Sequence, residues 1–229
     1  MRPIILTLGL LLLYGGLLFA QPKKDQLFSA AGYVGLTLAQ IDGDYYFGYN
    51  RAGGRFGVEG QLLLWPKTYL SVGFGYTQQG ARPNRKETSR NGNAQQNLRL
   101  NTIEVPLLLH YRLGKKTATG RKDNYQLYRS SVLSVGLVYS RLASYRAEAT
   151  GVIRNLERRE NWLAVEDEFR RSDVYLMAGY EVKMGLRSSI WVQHSRSLLG
   201  LYRPEEFDTE GVISLFPYYL TLGVKYHVY

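Results

Sequence analysis

The chain has 229 residues, a formal net charge of +10, 45% hydrophobic residues, 24 Gly, 19 Tyr and no Cys. This length and content fit a single all-β domain better than two domains. The lack of Cys excludes a disulfide framework, Cys-ligated zinc, thiol catalysis and lipid anchoring through an N-terminal cysteine.

The first residues, MRPIILTLGLLLLYGGLLFAQPKKD, carry one charge at Arg2, an apolar run from Ile4 to Phe19 and then a polar stretch. This is a signal-peptide layout, and cleavage is expected after Ala20, although Leu18 departs from the small residue usual at that place. A retained N-terminal anchor is the alternative, but the run is shorter than the roughly 20 residues a spanning helix needs. Residues 21–27 then form a short periplasmic segment and 28–229 the folded domain.

Eight segments of that domain alternate apolar and polar side chains with the period of a strand: 28–41, 55–65, 69–79, 99–112, 128–142, 173–184, 189–199 and 215–229. The connections alternate in length. Residues 66–68 and 185–188 are tight turns and 113–127 is moderate, whereas 42–54, 80–98, 143–172 and 200–214 are long and polar. Short turns on one side and long loops on the other are the plan of bacterial outer-membrane barrels, and an even strand number returns both ends to the periplasm. The expected fold is an all-β, eight-stranded antiparallel up-and-down transmembrane barrel, with ten strands as the alternative. Residues 156–169 leave room for a short helix.

Within each segment one row is almost uncharged: Phe56, Val58, Leu62 and Leu64; Leu70, Val72, Phe74 and Tyr76; Ile103, Val105, Leu107 and Leu109; Leu133, Val135 and Leu137; Val174, Leu176, Ala178 and Val182. The opposite row holds Gly57, Gly73, Gly75, Gly136 and Gly179 among polar residues. A water-facing strand has no packing reason to use Gly, whereas the interior of an eight-stranded barrel must alternate small and large side chains. The polar row is therefore expected inside and the apolar row against lipid. Trp65, Tyr69, Tyr111, Tyr128, Tyr226 and Tyr229 near the short turns, and Tyr76, Tyr139 and Tyr218 near the long loops, read as two interfacial girdles.

The inward row also carries Arg55, Glu59, Glu104, Glu181, Lys183 and Lys225, which reads as an internal ion network that keeps buried charges paired. Paired carboxylates can also serve acid-base catalysis, and an open lumen would make a small-solute channel, but crowding argues against both. In QHSRS, residues 193–197, His194 shares a face with Arg196 while Ser195 and Ser197 face the other way, so no catalytic dyad forms on this strand. His194 and Arg196 read instead as lipid-phosphate contacts. Asp42, Gly43 and Asp44 lack the ligand spacing of a calcium loop and read as a tight turn. No cofactor or metal is expected.

Much of the basic excess falls in the long connections, at Arg82, Arg85, Lys86, Arg90, Arg154, Arg158, Arg159, Arg170 and Arg171. Behind a signal peptide these are candidate contacts for anionic glycolipid rather than nucleic acid, chiefly Arg82, Arg85, Lys86, Arg158 and Arg159. Ordinary solvated loops are the plainer reading.

GYVGLTLAQIDGDYYFGYN, LLLWPKTYLSVGFGYTQQGAR and LNTIEVPLLLHYRLG resemble the PorT-like outer-membrane β-barrel proteins over essentially the whole mature chain. The Gln-x-Gly ending falls at Tyr76 to Gly80 and the Glu-Ile/Val-Pro-Leu-Leu strand at Glu104 to Leu108. Tyr229 departs from the pattern, being in phase with the inward Lys225 and His227. The resemblance implies a small non-enzymatic barrel in contact with outer-membrane lipid and lipopolysaccharide, with a protein partner for its extracellular loops. In at least one member type it implies an accessory role in type IX protein secretion. The alternatives are a lipid-modifying enzyme and a small-solute channel.

Overall fold

The computed structural model describes residues 27–44, 46–84, 95–113, 131–150, 166–184, 187–203 and 214–228. Eight strands are formed: β1 (Phe28–Asp42), β2 (Arg51–Trp65), β3 (Thr68–Ala81), β4 (Gln95–Leu113), β5 (Ser131–Thr150), β6 (Ser172–Lys183), β7 (Ser188–Ser197) and β8 (Phe216–Val228). Each pairs antiparallel with its neighbour, and β8 returns to β1 to close the barrel. In that closing ladder Gly35 faces Gly223 and Ala30 faces Val228, so no strand edge is left unpaired.

Parity sorts the side chains as the alternation predicts. Leu36, Val58, Phe74, Val135 and Leu222 stand on the outside, with Leu36 74% exposed, while Arg55, Glu59, Glu104, Glu181 and Lys225 are buried inside. An apolar exterior around a charged, closed interior suits hydrocarbon and not water, and the chain is an integral outer-membrane protein. Among the described residues no helix is long and apolar enough to cross a membrane; the strands do so.

The inward glycines make room for large rings. A Cβ on Gly57 or Gly75 would strike the hydroxyl of Tyr33, and one on Gly223 would strike the Trp191 ring. Gly80 closes the top of β3 with φ +145°. Ala143 is left out of the β4–β5 register, where Asn101 faces Ser144 and Thr102 faces Leu142.

Several expectations are corrected. β4 and β5 run to 19 and 20 residues, well beyond what a membrane requires, so 95–98 and 143–150 are strand and not loop. Tyr69 is no girdle residue: it is 3% exposed, inside the barrel, with its ring stacked 4.4 Å from that of His110. Trp65, Tyr111, Tyr226 and also Tyr180 are exposed at the periplasmic end, and Tyr139 at the other. Residues 166–168 form a single 3₁₀ turn that ends before Phe169; residues 156–165, like Tyr128, Tyr229 and the signal segment, lie outside the described residues.

Candidate functional site

The lumen is filled in three tiers. Nearest the periplasm, Lys225 Nζ reaches Glu59 Oε1 at 2.9 Å and Glu181 Oε2 at 3.1 Å. Gln61 Nε2 donates to Glu59 Oε1 at 2.6 Å, and His227 Nε2 lies 3.1 Å from Glu181 Oε1 and 3.2 Å from Ser189 Oγ. Lys183 shares this inward row and is half-buried. Each buried carboxylate thus meets donors from other strands, the condition under which charges survive away from water.

The middle tier centres on Arg55, whose side chain is 1% exposed. Its guanidinium lies 3.3 Å from Glu104 Oε2 and donates to Gln193 Oε1 at 2.8 Å. It also lies within 5.5 to 5.9 Å of the ring centres of Tyr33, Trp191 and Tyr219. Tyr219 OH donates to Glu104 Oε1 at 2.7 Å, while Oε2 has the Arg55 charge beside it and accepts no hydrogen bond.

The upper tier is apolar. Ile41, Ala81, Leu98 and Leu100 from the strand tips pack with Tyr46, Phe169, Leu201, Tyr202 and Leu215 from the connections. Backbone bonds from Leu201 N to Leu215 O (2.7 Å) and from Arg170 N to Leu201 O (2.8 Å) hold these segments over the mouth. Beneath this cap a depression lined by Gln79, Thr102, Ser140, Asp173 and Tyr175 has room for about one water. Sequence reading missed the cap because its connection residues share no period.

Of the inward charged residues, Arg55 lies with Glu104, and Lys225 with Glu59 and Glu181; Lys183 is in none of these three ion pairs. Two Ser–His pairs are present that parity alone did not single out. Ser71 Oγ and His110 Nε2 are 2.7 Å apart, and Ser189 meets His227, but all four face the lumen and are 1% exposed, away from any lipid substrate on the outer face. His227 also uses one nitrogen, Nε2, toward both Ser189 and Glu181, whereas a triad needs one nitrogen for each.

On the outer face His194 and Arg196 do not stand free for lipid phosphate. His194 Nε2 lies 3.1 Å from Tyr49 OH, and Arg196 Nη2 lies 3.2 Å from Asp42 Oδ2. The β1–β2 connection is folded back by its acidic turn, where Gly43 takes φ +98° and Asp44 Oδ1 accepts from Tyr46 N at 2.8 Å.

The opposite flank of the rim is basic. Arg82 is exposed at the end of β3, Arg99 is exposed on β4, and Arg146 stands directly across from Arg99 on β5. Burial, then the like charges of Arg99 and Arg82, hold the half-buried Arg51 guanidinium at the extracellular tip of β2 below its ordinary range. Arg170 and Arg171 are exposed near the β6 start, and Arg85, Lys86, Arg90, Arg154, Arg158 and Arg159 lie outside the described residues.

No family model and no curated protein matches the chain. Among solved structures, the chain is similar to Ail, the attachment invasion locus protein of Yersinia pestis, at 9% identity and a TM-score of 0.42, covering 88% of this chain and 99% of that one. Neisserial surface protein A matches at 9% identity and a TM-score of 0.41, covering 88% and 97%. A de novo designed transmembrane β-barrel matches at 11% identity and a TM-score of 0.38, covering 90% and 100%.

Proposed function

We propose that the chain is a non-enzymatic outer-membrane barrel that acts through interactions at its extracellular end, where basic side chains meet surface glycolipid or a protein partner. The filled lumen carries this reading. Salt bridges close its lower and middle tiers and an apolar cap lies above them, so the described residues leave no solute path. In the same reading residues 1–20 are a cleaved signal peptide, 21–27 a short periplasmic segment, and both ends of the barrel lie in the periplasm.

The resemblance to PorT-like barrels extends the proposal to an accessory part in type IX protein secretion. Two experiments test it. The purified barrel in planar bilayers should give no stable conductance steps; steps that persist in charge-preserving lumen variants would restore the channel. Secreted and periplasmic proteomes of a deletion strain, with a complemented control, test the secretion role. Cargo stranded in the periplasm and released by complementation supports it, and unchanged export removes it.

A further inference from the structure

Arg99 and Arg146 face each other across the β4–β5 ladder on the outer side. Like charges placed directly opposite one another destabilise a strand pair. Arg82 follows Ala81, which pairs with Leu98, and Gly80 pairs with Arg99; Arg82 is therefore a diagonal neighbour of Arg99 on the same face. Arg51 is not part of this outer row: it pairs with the buried Ala39 and turns toward the lumen mouth. The acid in reach is Glu148, and it is taken by Arg146 at 2.6 Å.

Height identifies the occupant. Ile103, opposite Arg141, ends the apolar row of β4, and Tyr139 lies one step lower on β5. Above Ile103 the outer face turns polar, where Asn101 bonds Tyr76, Gln78 and Ser144. Arg99 follows two residues beyond Asn101. Four residues of a tilted strand rise about 10 Å, which places the arginines at the headgroup level of the outer leaflet and facing it.

We propose that Arg82, Arg99 and Arg146 form a binding site for the phosphate groups of an anionic glycolipid in the outer leaflet. The proposal rests on the interaction reading above and moves its centre from the long loops to a rigid ribbon. A phosphate offers the several acceptor oxygens that adjacent guanidinium groups can share, and it cancels the repulsion between Arg99 and Arg146.

The test is native mass spectrometry of the full barrel released from zwitterionic detergent, with bisphosphorylated lipid A, dephosphorylated lipid A or inorganic phosphate as the probe. The parent should retain bisphosphorylated lipid A, and the double variant R99Q/R146Q should retain it about tenfold more weakly, the loss of two exposed charge-assisted contacts. Arg196→Gln, on the other flank, should match the parent. Without lipid, Arg99→Gln should leave the heat-modifiable gel shift of the folded barrel unchanged or moved to higher temperature, because it removes a repulsion. A purely structural Arg99 would move it down and overturn the proposal. Equal retention by R99Q/R146Q and the parent, with loss in R158Q/R159Q, also overturns it while leaving the loop-based reading standing. No preference of the parent for bisphosphorylated over dephosphorylated lipid A overturns both. Complete competition by inorganic phosphate overturns the lipid assignment in favour of a free-anion site.

Discussion

Replacing Lys225 by Met tests whether the lumen is filled and dry. Met keeps most of the stem, so the change removes the charge and its two contacts, at 2.9 Å to Glu59 and 3.1 Å to Glu181, from a side chain 2% exposed. Leaving the histidines out of the count, the lower tier holds the fully buried cation Lys225 against the two carboxylates Glu59 and Glu181, a local balance of −1. The substitution takes that balance to −2 and strands two carboxylates. Breaking a buried pair by removing one partner costs about 3–5 kcal/mol, because the other charge is left uncompensated in low dielectric. Adding Glu59→Gln restores the original balance while Gln61 can still bond the new amide, so K225M/E59Q should recover most of the loss. Urea unfolding of the barrel in phosphatidylcholine vesicles, followed by tryptophan fluorescence, measures both. A K225M barrel within about 1 kcal/mol of the parent would mean that the carboxylates are hydrated. The filled-lumen argument, and with it the case against conduction, would then fail.

Three further outcomes follow from the same packing, each read by the same unfolding assay. Gly75→Ala should cost about 1–3 kcal/mol by pressing on the Tyr33 hydroxyl, and Tyr33→Phe should rescue part of it; strictly additive effects would refute the contact. Tyr219→Phe removes the 2.7 Å hydrogen bond to Glu104 and should cost about 1.5–3 kcal/mol, and a neutral result would mean that Glu104 is satisfied without it. Asp42→Asn breaks an ion pair whose two side chains are each 61% exposed, so it should change stability by less than about 1 kcal/mol, and a larger loss would show that the folded-back β1–β2 connection depends on that pair.

The barrel was legible because its exterior obeys one rule: every second residue is apolar while the strand is in lipid. The same parity placed Arg55, Glu59, Glu104, Glu181 and Lys225 inside. It could not pair them, since Lys225 and Glu59 are 166 residues apart and meet only through closure of the sheet. Nor could it see where a strand leaves the membrane and continues. Above Ile103 the outer row becomes Asn101, Arg99 and Asn97, which reads as a loop although its ladder to β5 is unbroken save for one bulge. Tyr69 was misread by residue type: aromatics near turns suggest a girdle, yet Leu70 beside it holds the lipid side, which sends Tyr69 inward to His110. The cap was invisible for a third reason. Tyr46, Phe169, Leu201 and Tyr202 stand in connections without a strand period, and only the closed rim brings them together.

A filled lumen also determines where recognition can be accurate. With charges and rings packed to the centre, the interior is spent on holding the barrel closed, and the surfaces left for a partner are its two ends. At the periplasmic end the described β2–β3 turn is only Pro66 and Lys67 between strands. At the other end β4 and β5 continue together from Asn101 and Ser144 to Gln95 and Thr150 as a hydrogen-bonded ribbon. Side chains on such a ladder lose less freedom on binding than side chains on loops, so a ligand held there meets a preorganised surface. Arg99 and Arg146 are fixed opposite each other by backbone pairing. Glu148, paired with Arg146 at 2.6 Å, offsets part of that like-charge contact, and the proposed anion would offset the rest.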